Sequence, residues 1–146
     1  MRIVMDTNVV LAGLVNPNGL AALLILALDG EVLENYTSDE GLEELILKIG
    51  LLAEEGKLSS EWKKVLSHFV ANSKVVSPSR KFNLSRDPDD NKWLEIAYEV
   101  KAACILTWDQ DLLDLRDENR VLRLDDHSVE VLTPSEFYHS VIKALC

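Results

Sequence analysis

The chain has 146 residues, of which 47% are hydrophobic and 27% charged, and it carries a net charge of −10 at neutral pH. That size predicts a single domain over residues 1–146 with an ordinary core, and no apolar run reaches the ~20 residues of a membrane-spanning helix. Cys104 and Cys146 have no CxxC partner, which excludes a zinc or disulfide framework. His68, His127 and His139 lie too far apart, in unrelated contexts, to suggest a histidine-based site.

The charge is unevenly spread. Residues 57–92 hold eight basic side chains against Glu61, Asp87, Asp89 and Asp90, a balance of +4 that leaves −14 for the rest. The basic middle is expected to meet phosphates, and the acidic remainder a basic protein partner. Met1-Arg2 leads straight into the apolar Ile3-Val4-Met5, a core strand rather than an export signal, so the expected location is the cytoplasm.

Arg2 to Met5 opens as a strand. A turn at Asn16-Pro17-Asn18-Gly19 precedes a helix from about Leu20 to Leu28, and a short strand is expected around Val32 to Tyr36. Thr37-Ser38-Asp39 then starts a helix running to about Leu52. A further helix spans Glu61 to about Ala71, followed by a weak strand, Lys74 to Ser77. Asp87-Pro88 is a helix entry, with Asp as N-cap and Pro at the first helical position. The helix it opens carries Trp93, Leu94, Ala97 and Tyr98 as its buried stripe. Ala103 to Thr107 is an interior strand, and a short helix follows near Asp111 to Leu115. Val121 to Leu124 and Glu130 to Leu132 are strands, and Thr133-Pro134-Ser135 starts a closing helix, Glu136 to about Leu145. This alternation predicts an α/β domain with a parallel sheet.

Two acids stand directly after apolar strands, Asp6 and Asp109. In an open parallel sheet the strand C-terminal ends form the ligand-binding edge. Two carboxylates facing each other there repel unless a cation lies between them, and hard divalent cations take oxygen ligands. Asp90 shares a helical face with Trp93, Leu94 and Ala97, which points it toward the same edge. A first-turn acid favouring the helix dipole explains Asp90 equally well, and Asp87 reads as the cap. Glu44 shares its helix side with Leu47 and Leu51, yet periodicity does not choose between Glu43 and Glu44.

These residues together resemble the PIN-domain family. Met5-Asp6-Thr7-Asn8-Val9 is similar to its opening strand, Leu42-Glu43-Glu44-Leu45 to its second acidic motif, Asp87 to Ala97 to its third, and Thr107-Trp108-Asp109-Gln110-Asp111 to its fourth. The closing Val131 to Phe137 also matches. The resemblance implies a three-layer α/β sandwich with a central, mostly parallel, Rossmann-like sheet. It implies Asp6, Glu44, Asp90 and Asp109 as catalytic metal ligands for Mg²⁺ or Mn²⁺. Asn8 and Thr107 would fix carboxylate orientations, and Asp111 would be an auxiliary acid. The activity implied is hydrolysis of single-stranded or structured RNA by water activated by the metal, leaving a 5′-phosphate and a 3′-hydroxyl.

A bare domain of this size is similar to the toxins of bacterial and archaeal toxin–antitoxin modules, which implies a small antitoxin partner and a homodimer. The alternative is a PIN-like protein that binds metal or a partner without cleaving. A phosphotransfer receiver is disfavoured, because Val32 to Tyr36 and Lys74 to Ser77 end without an acceptor Asp. Two departures stand out: Trp108, where the family usually has a small residue and where a ring is expected to narrow the groove, and Asn119 to Asp126, which reads as an insertion.

Overall fold

The computed structural model describes residues 1–142. Six strands form one sheet in the order β3-β2-β1-β4-β6-β5: β1 (Arg2–Met5), β2 (Glu34–Thr37), β3 (Ser73–Val75), β4 (Cys104–Leu106), β5 (Val121–Leu124) and β6 (His127–Leu132). Every pairing is parallel except β5 with β6. The register of the two central strands sets Met5 against Leu106.

Side chains alternate across each strand, so β1 feeds two cores. Ile3 and Met5 pack with α1 (Thr7–Val15), α2 (Leu20–Leu26), α3 (Asp39–Glu54) and α4 (Trp62–Ala71) on one face. Val4 packs with α5 (Asn91–Val100) on the other. The result is the expected α/β sandwich of three layers around a mostly parallel sheet. Among the described residues no single helix is long and apolar enough to cross a membrane.

Helix α1 is the element that the sequence reading left unassigned. Its nine residues, Thr-Asn-Val-Val-Leu-Ala-Gly-Leu-Val, are apolar almost all round, so no amphipathic period marks them. The helix starts because the Asp6 carboxylate accepts the Val9 backbone N–H at 3.1 Å, and it persists because Val9, Val10 and Leu14 are fully buried. The apparent insertion at Asn119 to Asp126 is an antiparallel edge: β5 and the turn into β6, with Asp125 in the left-handed region (φ 51°). The closing helix α7 (Pro134–Phe137) widens into a π-type turn, Tyr138–Ile142. The end expected at Leu145, like Cys146, lies outside the described residues.

Helices α3 and α5 meet over Gly41. A Cβ there would fall 2.7 Å from Thr37 Oγ1 and 3.2 Å from two ring carbons of Trp93, whereas a Cβ on Gly50 of the same helix would meet nothing within 4 Å. The two glycines therefore predict opposite responses. Gly50→Ala should stabilise by about 0.5–1 kcal/mol through helix propensity and unfolded-chain entropy. Gly41→Ala should cost about 1–3 kcal/mol through overpacking. Chemical denaturation of the two variants checks this; equal shifts would contradict the packing described.

Candidate active site

Because β1 and β4 are adjacent and parallel, Asp6 and Asp109 emerge at the same sheet edge. One fully buried residue joins them. The Thr107 hydroxyl donates to Asp6 Oδ2 and accepts the Asp109 N–H at 2.8 Å. Each acid also starts a helix: Asp6 caps α1, and Asp109 caps α6 (Gln110–Leu113) by accepting the Asp111 N–H at 2.9 Å. The positive ends of the backbone dipoles thus offset part of the negative charge.

The third motif enters through a short 3₁₀ turn, Pro88–Asp90, that leads directly into α5. Asp87 is its cap and accepts the Asp89 N–H at 3.1 Å. Asp90 makes no capping bond. Its side chain is buried, and Oδ2 has no hydrogen-bond partner among the described residues. The ambiguity left by the sequence is thereby divided: the capping bond belongs to Asp87, and the free, buried carboxylate to Asp90.

Glu44 lies in the second turn of α3. One oxygen pairs with Lys48 at 3.3 Å and the other with Lys92. Lys92 is only 6% exposed and also donates to the Asp89 carbonyl at 2.6 Å. It is a residue the sequence reading missed: it was counted in the basic, phosphate-facing segment, and nothing in the helical period shows that α5 is buried on nearly every side. Lys48 was missed as well, although its i+4 spacing from Glu44 is a signal that could have found it. The rest of the basic segment is largely engaged in ion pairs at the surface. Lys57, Lys74, Arg80, Lys81 and Arg86 all pair with acids, which leaves Lys63 and Lys64 of α4 without an acidic partner among the described residues.

Asp6, Glu44, Asp90 and Asp109 all line one cavity of about 250 Å³. Thr7, Asn8, Lys48, Asp87, Asp89 and Trp93 complete its lining. Asn8 is exposed, and it bears on Asp6 through its backbone N–H rather than its amide. Asp111 stands with Asp87 and Asp90, one carboxylate oxygen from each lying within 4.8 Å of the others, and Arg86 reaches Asp111 at 2.9 Å.

The electrostatics follow from this crowding. Burial raises the Asp6 pKa and Asp109 adds to the rise, against the hydrogen bonds from Thr107 and Val9. Burial, then Asp109, Asp87 and Asp6, push Asp90 up to about 8. Burial acts to raise Glu44 too, but Lys92 and Lys48 outweigh it and hold this carboxyl below its usual range. A buried carboxylate oxygen of Asp90 without a partner, beside the carboxylates of Asp6 and Asp109, fits a hard divalent cation.

A mostly parallel sheet that gathers carboxylates at the C-terminal ends of its central strands defines an α/β domain with an acidic site. The chain belongs to the PIN-domain family, whose profile matches residues 2–111. An uncharacterized protein of Methanocaldococcus jannaschii is 39% identical over 139 residues, which cover 94% of this chain and 89% of that relative. The family comprises nucleases that generally use divalent metals and act on RNA. The β5–β6 hairpin and α7 lie beyond the family match.

These shifts predict a pH response. A carboxyl whose folded pKa is raised contributes stability that is complete below its unfolded pKa, near 4, and is lost as pH rises through the folded value. For Asp90 that folded value is about 8. In EDTA, melting temperature should therefore fall between about pH 5 and pH 8. Asp90→Asn should flatten that fall and, at pH 8, be at least as stable as wild type. Mg²⁺ at ~10 times its Kd should restore about 1.4 kcal/mol to wild type, roughly 3–6 °C, and largely fail to do so in Asp90→Asn. An equal Mg²⁺ shift in both proteins would remove Asp90 from the site.

Proposed function

We propose that this protein is a Mg²⁺- or Mn²⁺-dependent endoribonuclease that hydrolyses phosphodiester bonds of single-stranded RNA. The observation that carries the reading is the buried, partnerless Asp90 Oδ2 in a cavity shared with Asp6, Glu44 and Asp109. Asp6, Asp90 and Asp109 would hold the cation directly, with Glu44 completing the set from α3. A cation held by these residues would supply positive charge to the phosphate and lower the pKa of water toward neutrality. Thr107 fixes the orientation of Asp6 and the backbone of Asp109, a supporting role that tunes metal sites strongly. Lys92 and Lys48 hold Glu44 ionised. Asp111 acts as an auxiliary acid, balanced by Arg86. A flexible single strand suits a cavity of this size, because it can bend one phosphate into the crevice.

We further propose that the chain acts as one PIN-like unit, in the cytoplasm, as the toxin of a toxin–antitoxin pair. The −14 balance outside residues 57–92 supports a basic antitoxin segment. The exposed Ile46, Leu47 and Leu51 of α3 support an amphipathic one, or a second copy of the chain as homodimer.

One observation favours a second reading, binding of metal or a partner without cleavage: both oxygens of Glu44 are already engaged by lysines. Cleavage assays separate the two. Purified protein should cut single-stranded RNA with Mg²⁺ or Mn²⁺ and not with EDTA. Asp6→Asn should lose at least ~10²-fold, since it removes charge stabilisation worth several kcal/mol. Equal cleavage by wild type and Asp6→Asn would identify a contaminant. A Mg²⁺-dependent melting shift without cleavage would select the second reading.

A further inference from the structure

Trp108 stands between two residues of the acid cluster. Thr107 before it donates to Asp6, and Asp109 after it lines the cavity. Adjacent Cα atoms are 3.8 Å apart, so the indole is anchored one residue from the site. The backbone on both sides is fixed: Thr107 N–H donates to the Leu132 carbonyl at 2.9 Å, and Asp109 caps α6. The ring nevertheless does not fill the groove, contrary to the expectation from sequence. The aromatic in the cavity wall is Trp93, only 3% exposed, whereas Trp108 is 45% exposed. Every other Phe, Tyr or Trp side chain among the described residues is buried or half-buried. Among the described residues, the most exposed indole is therefore carried by the residue whose backbone adjoins Asp109.

We propose that Trp108 is a stacking platform for a nucleobase of the strand whose phosphate enters the acidic cavity; the proposal rests on the nuclease reading above. The charge distribution supports it. The cavity itself is acidic, and most nearby cations are committed to acids: Arg86 to Asp111 and Asp114, Lys92 to Glu44. Phosphate attraction alone therefore gives this surface little hold on a polyanion. Stacking on an aromatic face needs no charge and tolerates any base, and single-strand binders use it for this purpose. The remaining exposed apolar groups near the site, Leu47 and Leu51 on α3, are aliphatic and offer no such face. Because β1 lies between β2, which leads into α3, and β4, which leads to Trp108, a strand stacked on the indole would cross the sheet edge over Asp109 and Asp6 toward Lys48.

Fluorescence titration tests this, with Ca²⁺ in place of Mg²⁺ and eight-nucleotide adenosine and uridine RNA oligomers as probes. Wild-type emission should be quenched saturably by both. Trp108→Leu should lose the quench and bind about tenfold or more weakly, within the range measured for base–aromatic stacks, and Trp108→Phe should recover most of the affinity. The Mg²⁺-induced melting shift of Trp108→Leu should match wild type. Unchanged RNA affinity in Trp108→Leu would overturn the platform and assign the ring to another contact, such as a protein partner, while leaving the nuclease reading intact. Loss of affinity together with loss of the Mg²⁺ shift would overturn it as well, since the ring would then serve to hold the site. Absence of RNA binding by wild type would defeat the platform and the nuclease reading together.

Discussion

Mutual repulsion of carboxylates at one sheet edge is the constraint that the surrounding structure is arranged to bear. Unpaired buried charge is among the most costly features a protein can hold. Here Asp6, Asp90 and Asp109 are brought together with Glu44 in a cavity of about 250 Å³. The chain distributes this cost over several local devices. The Thr107 hydroxyl ties Asp6 to the backbone of Asp109, helix starts at α1 and α6 present N–H groups to the two acids, and two lysines neutralise Glu44. Asp90 alone receives none of these, and its pKa carries the imbalance.

The support extends beyond the acids. Asn91, next to Asp90, accepts the backbone N–H groups of Leu84 and Ser85 at 3.1 and 3.0 Å, and Glu95 accepts that of Phe82 at 3.0 Å. These bonds fasten the irregular segment before Asp87 onto α5 and so fix the turn that carries Asp87 and Asp90. Asn91, Lys92 and Glu95 of α5 are buried together with Trp93, Leu94, Ile96 and Ala97, so the helix is at once core element and site scaffold. Stability and function are therefore coupled through α5, where a change made for one alters the other.

Much of this is legible in the sequence. Asp6 and Asp109 stand out because they end apolar strands, and parallel-sheet logic sends both to one edge. Asp90 was legible in position but not in role, since a first-turn acid and a site acid occupy the same place on a helix. Choosing Glu44 over Glu43 needed the family resemblance, because α3 carries apolar residues on both faces. Three features were hidden for physical reasons. Helix α1 is too uniformly apolar to show a period, and its start depends on an Asp that the sequence reading assigned to chemistry alone. Lys92 looked like a solvated cation because its burial depends on α3, α5 and the Asp89 carbonyl meeting in space. The exposure of Trp108 depends on what packs around it in space, whereas sequence registers only the bulk of the ring.

The central claim is that the acid cluster is a divalent-cation site, and an anomalous-diffraction experiment on crystals soaked in Mn²⁺ addresses it most directly. The arrangement predicts an anomalous peak within coordination distance, about 2.0–2.4 Å, of carboxylate oxygens from Asp6, Asp90 and Asp109. A Mn²⁺ soak that leaves this edge without a peak, with Asp90 and Asp109 sharing a proton instead, would contradict it.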